Sequence, residues 1–423
     1  MLPYAVINFN EMDVTAEIKT ALVDMGFETP TPIQAAVIPH ILGGRDVIAQ
    51  APTGTGKTCG FGIPAVNMVD LYNGDVQILV LCPTRELAIQ TEREIRDVAK
   101  HTRGLKVVCI YGGQNIERQL AAMRKRPQII VGTTGRVMDH MRRKTLKLNG
   151  LKMLVLDEVD EMLNMGFRED IDQILKSVPE TRQTVMFSAT MPRAILEISK
   201  KYQTDPINVK CEHAAGGIPN INQFFVRTTE STKGPALLSI LAERNYYSAL
   251  VFCNTKKRVD ELTRYLNKNN FTADALHGDM RQGQRDATMR RFRKGDTQIL
   301  VATDVAARGI DVDNLEAVFN IDVPHDEEYY LHRIGRTARA NKTGSSYTFV
   351  TDPQMFIIRN LENFTRGKIT RAEFTMNPDA PALTMSPPPR ASMRDKGAPK
   401  QKPTQNRKKS FHHKRKGKLG KRA

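Results

Sequence analysis

The stretch "DVIAQAPTGTGKT", residues 46 to 58, decides the fold. A short apolar run leads into a loop carrying Thr53, Gly54, Thr55 and Gly56, then Lys57 and Thr58, and a helix-length segment follows. The loop matches the GK[ST] half of a polyphosphate-binding loop, with Ala51 where the first glycine commonly stands. Its glycines let backbone N–H groups turn toward a phosphate chain, and a helix starting near Lys57 adds its N-terminal dipole. Lys57 would supply a point charge to the terminal phosphates and Thr58 a hydroxyl to Mg²⁺. Strand, phosphate loop and helix together are the first unit of an open α/β sheet.

Working outward, short apolar runs alternate with amphipathic stretches: "VQILVLC" (76–82), "LKVVCIY" (105–111), "PQIIVGT" (127–133), "KMLVLDE" (152–158) and "QTVMFSAT" (183–190). The second half repeats the plan with "SALVFCNT" (248–255), "TQILVATD" (297–304), "EAVFNID" (316–322) and "SSYTFVT" (345–351). This is the pattern of mostly parallel sheets flanked by helices. The Gly and Pro content of "CEHAAGGIPN" (211–220) marks a linker. The expected organisation is a first α/β domain over 1–210, a linker over 211–220, a second α/β domain over 221–370, and an extension with a basic tail over 371–423.

A hundred residues beyond the phosphate loop, "VLDEVDEM" (155–162) places four carboxylates directly after an apolar run. Read alone, Asp157, Glu158, Asp160 and Glu161 are the charged end of a strand. A triphosphate carrying Mg²⁺, however, needs a hard carboxylate for the metal's shell and a group that orients water. Asp157 and Glu158 can supply both, which couples the two motifs, while Glu161 reads as a solvated acid. The carboxylate spacing does not fit a calcium EF-hand loop. The match of DEVD to a protease recognition sequence is treated as coincidence, because it would lie against a sheet.

Composition narrows the class. The five cysteines (Cys59, Cys82, Cys109, Cys211, Cys253) are odd in number and scattered, with no CxxC pair, so reduced thiols are expected in place of zinc or disulfide frameworks. No apolar run reaches the roughly eighteen residues of a membrane span, and no secretory signal opens the chain. Of the net charge of +17, +13 falls between Ser386 and Ala423, where fourteen Lys or Arg face one acid, Asp395. Such a segment cannot bury enough apolar surface to order itself and is expected to be disordered. Its bland reading is solubility; the sharper one is contact with phosphates.

With both nucleotide motifs in hand, the chain resembles the DEAD-box RNA helicases, superfamily-2 ATPases built from two RecA-like domains. The resemblance covers residues 9 to about 350. It implies that Gln34 in "GFETPTPIQ" (26–34) reads the adenine edge while an aromatic, Phe9 or Phe27, packs on its ring. "PTRELA" (83–88), "GG" (112–113) and "TTGR" (133–136) resemble RNA-backbone motifs, and "SAT" (188–190) the motif coupling hydrolysis to strand separation. In the second half "VFCN" (251–254), "HGDMRQGQR" (277–285), "ATDVAARGID" (302–311) and "HRIGRTAR" (332–339) continue the series. By resemblance Asp311 holds the ribose, Arg336 and Arg339 act as arginine fingers, and His332 links closure to the acidic motif and to Ser188 and Thr190. Asp160 takes the contact joining the domains. Arg85, Gly113, Thr133, Arg136, Gly278, Arg285 and Thr303 would hold the sugar–phosphate backbone of RNA.

The resemblance implies an ATP- and Mg²⁺-using RNA helicase, monomeric in its core and without a membrane partner. Closure of the two domains on ATP and RNA would locally unwind duplexes or remodel ribonucleoprotein, including ribosome-assembly particles. A cytoplasmic bacterial setting suits the compact basic tail, although the same tail reads as a nuclear signal in a eukaryote. A DNA translocase of the same superfamily should carry different second-domain motifs, and a noncatalytic clamp should lack Lys57, Glu158 or Arg336. Three departures from the family pattern stand out: Val159 for alanine, Thr134 for proline, and Ala338 for the glycine between the arginines.

Overall fold

The computed structural model describes residues 8–52, 54–211, 221–307, 315–324, 326–338, 343–383 and 385–386, with the Glu328 side chain set aside. Thr53, Asp311, Arg339, linker residues 212–220 and the basic tail from 387 onward lie outside the described residues.

The first sheet has seven strands: β1 Val47–Gln50, β2 Ile78–Cys82, β3 Val107–Ile110, β4 Ile129–Thr133, β5 Met153–Leu156, β6 Gln183–Ser188 and β7 Ile207–Lys210. All pair in parallel, in the order β3-β4-β2-β5-β6-β1-β7. The second sheet holds β8 Ile221–Arg227, β9 Ala249–Phe252, β10 Ala273–Leu276, β11 Ile299–Ala302, β12 Ala317–Asn320, β13 Gly344–Val350 and β14 Thr370–Arg371. Its order, β10-β11-β9-β12-β13-β8-β14, is the first order shifted by seven, so the halves share one topology without sharing a sequence repeat. These are the two parallel α/β domains that the sequence leads one to expect.

The strands are buried on both faces, as parallel sheets require. In β2, Ile78, Val80 and Cys82 enter one core and Leu79 and Leu81 the other. In β9, Ala249 and Val251 oppose Leu250 and Phe252 in the same way. Beyond β14 the chain runs as a strap over the second domain: the Tyr265 hydroxyl donates to Pro381 O at 2.6 Å, and Arg258 Nη1 to Ser386 O at 2.6 Å. Leu383 and Met385 of this strap are buried in the second domain's core. Among the described residues no helix is long and apolar enough to cross a membrane.

A nucleotide and RNA cleft as the candidate functional site

Parallel strands deliver their following loops to one end of a sheet, and ligands of open α/β sheets bind there. The phosphate loop follows β1, Arg85 follows β2, Gly113 follows β3, Thr133 ends β4, Asp157 follows β5, and Ser188 ends β6. In the phosphate loop Gly54 and Gly56 adopt φ of +78° and +86°, and Gly56 caps helix Lys57–Asn67. A side chain at Gly56 would strike Gln34, since an added Cβ would lie 2.5 Å from its Nε2. Gln34, 4% exposed, donates to Gly56 O at 3.0 Å and accepts from Thr31 N at 2.9 Å, while the Thr31 hydroxyl donates to Thr55 O at 2.8 Å. The proposed adenine reader therefore also braces the phosphate loop. Lys57 is buried and its Nζ donates to Ala51 O at 3.2 Å, across the mouth of the loop.

Of the two aromatics expected at the base, Phe9 is 3% exposed and packed into the first core with Met12, Val14 and Ile18, which removes its ring from the surface. Phe27, 38% exposed, keeps ring area free.

The acidic strand end is organised by burial. Asp157 is 2% exposed, and burial pushes its carboxyl up to about 7 against the restraining charge of Lys57. A carboxylate so placed gains from a cation, and the Thr58 hydroxyl supplies a second hard oxygen. This donor set fits Mg²⁺ brought in on a nucleotide. No group of three or more His, Cys, Asp or Glu able to hold a metal by themselves occurs among the described residues. Glu158 stands in the left-handed region (φ 50°, ψ 55°) as the N-cap of helix Val159–Asn164, and its N–H donates to Asp157 Oδ1 at 3.0 Å. A non-glycine residue held there stores backbone strain, as residues at functional sites often do. Val159 is fully buried and extends the apolar core behind the motif.

Two expectations exchange places at this motif. Glu161 is not solvated: it is 2% exposed, and its Oε1 meets His332 Nδ1 of the second domain at 3.2 Å. Asp160 bonds within its own domain, its Oδ2 accepting from Ala189 N at 3.1 Å, Thr190 N at 2.9 Å and the Thr190 hydroxyl at 3.1 Å. The one-turn helix sets this division: Asp160 turns toward the end of β6, and the next residue points across the cleft.

On the RNA side, Arg85 lies against Gly113, where an added Cβ would fall 2.2 Å from Arg85 Nη1 and where φ is +85°. Arg136 donates to Gln119 Oε1 at 3.0 Å beside the same loop. Thr133, Gly278 and Thr303 follow or end strands on the cleft side, and Gly278 is exposed. Arg285, read from the sequence as a phosphate partner, lies at the contact between the two domains. It is 8% exposed, and its Nε and Nη2 donate to Glu86 Oε1 of the first domain at 2.9 and 2.6 Å. Arg85 Nη1 donates to Gln282 Oε1 at 2.9 Å beside it. These residues fasten one domain to the other.

In the second domain Arg333, 1% exposed, holds helix Glu327–Ile334 against three strand ends. Its guanidinium bonds both Asp304 oxygens at 2.5 and 2.7 Å, Asp322 O at 2.7 Å and Asn254 Oδ1 at 2.8 Å. Arg336 follows one turn beyond His332 and donates from Nε to the His332 carbonyl at 3.3 Å. Ala338 has φ of +58°, so the position where the family pattern has glycine requires the left-handed region here as well. Thr134 begins helix Thr134–Arg142, and its hydroxyl reaches Met162 Sδ at 3.5 Å, tying that helix to the acidic motif.

Residues 31–198 match the DEAD/DEAH box helicase family and residues 232–341 the helicase conserved C-terminal domain. The DEAD-box ATP-dependent RNA helicase CshA of Bacillus cereus is 47% identical over 375 residues, 89% of this chain and 70% of that protein. CshA of Bacillus subtilis is 46% identical over 365 residues, 86% of this chain and 74% of that protein. Saccharomyces cerevisiae Dbp5 bound to RNA and ADP BeF3 is 30% identical, with a TM-score of 0.78 over 86% of this chain and 95% of its own. A DEAD box protein of Methanococcus jannaschii is 42% identical, with a TM-score of 0.51 over 86% of this chain and 99% of its own. Fold and cleft together define a helicase-type ATPase of two RecA-like domains. The chain belongs to the DEAD-box family of ATP-dependent RNA helicases.

Proposed function

We propose that this chain is an RNA-dependent ATPase that closes its two domains on ATP and one RNA strand, and thereby separates short duplexes or remodels ribonucleoprotein. The observation that carries this reading is the seam itself. Glu161 meets His332 and Glu86 meets Arg285 across it, with the acidic motif on one side and the arginine segment on the other. The similarity to a relative bound to RNA and a nucleotide supports a closed arrangement.

Within the closed cleft the loop N–H groups and Lys57 bind the terminal phosphates, and Gln34 with Phe27 orients the base. Glu158, fixed by its own strained turn, aligns the attacking water and accepts its proton. Arg336 brings positive charge to the phosphoryl group only when the second domain docks, so turnover waits on closure. Mg²⁺ held by Thr58 and Asp157 would neutralise charge on the phosphate oxygens. Asp160 passes the state of the acidic motif to Thr190. Arg85, Arg136 and the glycine loops grip the backbone with little regard to sequence, and hydroxyl contacts favour RNA over DNA. Thr53, Asp311 and Arg339 complete the proposed site by their motif positions, and the basic tail tethers the core to structured RNA. The setting we propose is cytoplasmic, with ribosomal or messenger RNA as the substrate.

Energy transfer between one dye on each domain tests the coupling. ATP and RNA together should raise the transfer, and either alone should leave it near the free value. Full closure on one ligand would refute the coupled mechanism.

A further inference from the structure

The loops at the amino ends of the first sheet lie opposite the cleft, across strands of four to six residues, about 15 Å. Three of them, before β3, β4 and β5, flank the loop before β2 in this half of the sheet. The segment before β3 carries Arg103 and Lys106, the segment before β4 carries Arg124, Lys125 and Arg126, and residues 142–152 before β5 carry five more Lys or Arg. All ten are exposed and none of these segments contains an acid, while one of the ten, Arg143, pairs with Asp139 of the preceding helix at 2.9 Å. The loops touch one another: Lys106 Nζ donates to Lys125 O at 2.9 Å. The neighbouring loop before β2 brings Asp70 and Asp75 and, at its tip, Leu71 and a wholly exposed Tyr72. The Arg126 guanidinium rests against that loop, where a Cβ added at Gly74 would lie 2.6 Å from its Nε. Elsewhere at this end of the sheet the cations are neutralised or covered: Arg45 pairs with Asp205, and Arg182 is buried.

A groove connects this basic edge to the RNA side of the cleft. A cavity of about 300 Å³ runs along β3, lined by Tyr111, Gln114 and Arg118 toward the Gly113 loop and by Val108 and Arg96 toward the other end. Arg96 donates from Nη2 to Val107 O at 2.8 Å, at the first residue of the strand. A polyanion leaving the cleft beside Gly113 would pass Arg118 and then Arg96, whose charge Glu92 of the same groove shares, before it reaches the basic loops.

We propose that the outer β3 edge of the first domain is a second RNA-binding face, where RNA flanking the gripped strand descends the groove onto the basic loops and one base stacks on Tyr72. The inference rests on the RNA reading of the cleft. Ten cations around one exposed aromatic suit phosphates and a base, the combination used by single-strand binders. An anionic membrane would call for a broader apolar face than Leu71 and Tyr72 provide.

The test uses the full-length chain and two RNAs: a single strand just long enough to fill the cleft, and the same strand extended by a hairpin. ATP turnover is measured for wild type, the triple variant R124Q/K125Q/R126Q and Tyr72→Ala. With the short strand all three should share one kcat and KM. With the extended RNA the triple variant should show a KM raised about tenfold and a log–log salt slope shallower by about 2, the value for three lost phosphate contacts. Tyr72→Ala should raise that KM severalfold without changing the slope. An unchanged KM and slope on the extended RNA would overturn the proposal. So would loss of binding to phosphatidylglycerol vesicles in the triple variant with RNA kinetics intact, since that marks a membrane face. Should neither RNA stimulate the wild type, the functional reading fails, and fluorescence anisotropy of the hairpin RNA, wild type against triple variant, judges the edge by itself.

Discussion

The Glu86–Arg285 pair offers a quantitative test of how closure is held. Its side chains are 15% and 9% exposed, and two nitrogens of the guanidinium share one carboxylate oxygen at 2.9 and 2.6 Å. Removing one partner of such a desolvated pair leaves the other charge stranded, at a cost of about 3 kcal/mol, or about 150-fold in an equilibrium constant. Because the pair spans the seam, that cost falls on closure and not on the folding of either domain. Arg285→Met and Glu86→Gln should each raise the RNA concentration needed for half-maximal ATP turnover by about two orders of magnitude. The double variant should be no worse than either single one, giving a coupling energy of about 3 kcal/mol in the cycle. Urea midpoints of all four proteins should agree. If Arg285 instead gripped an RNA phosphate, Glu86→Gln would leave RNA dependence unchanged or improve it, and only Arg285→Met would show a loss. That result would refute the fastening role.

Further consequences follow from single residues. Ala338→Gly relieves a methyl group held at φ +58° and should stabilise the second domain by about 1 kcal/mol in urea unfolding; a loss of stability would contradict the strain. Gly113→Ala would drive a Cβ into Arg85 at a backbone angle that disfavours it, so RNA-dependent turnover should lose affinity while ATP binding holds. The Tyr202 hydroxyl, with Lys176 and Lys201, holds the Asp172 carboxyl well below the usual carboxylate range. A depressed folded-state value means that this stabilisation is present above the unfolded value near pH 4 and lost as the pH falls through the folded one. Asp172→Asn should therefore lower the urea midpoint at pH 7 and converge on the wild type in acid.

The sheets were legible because parallel strands buried on both faces read as continuous apolar runs, and ten of the fourteen strands lie within such runs. The missed ones are edge strands, such as β7 (INVK) and β10 (ADAL), and β8 beside the linker, whose partial burial leaves no apolar run to find. The phosphate loop and acidic motif were legible because their chemistry is local in sequence. The seam was not. Glu86 reads as an acid in the first turn of a helix, and its partner lies 199 residues away. Glu161 differs from Asp160 only by one step around a short helix, and that step decides which domain it faces. Phe9 carries the aromatic signal of a base platform, but its ring completes a core, a choice that packing makes and residue type does not.

RNA-conditional hydrolysis, with Glu158 aligning the water, is the step most open to direct test. The most direct measurement is ATP turnover with single-stranded RNA, with DNA of the same sequence and with neither, for wild type and Glu158→Gln. Wild type should turn over ATP rapidly only with RNA, and the variant should bind ATP and RNA while turnover falls by at least about two orders of magnitude. Equal stimulation by DNA, or an active Glu158→Gln protein, would contradict the account.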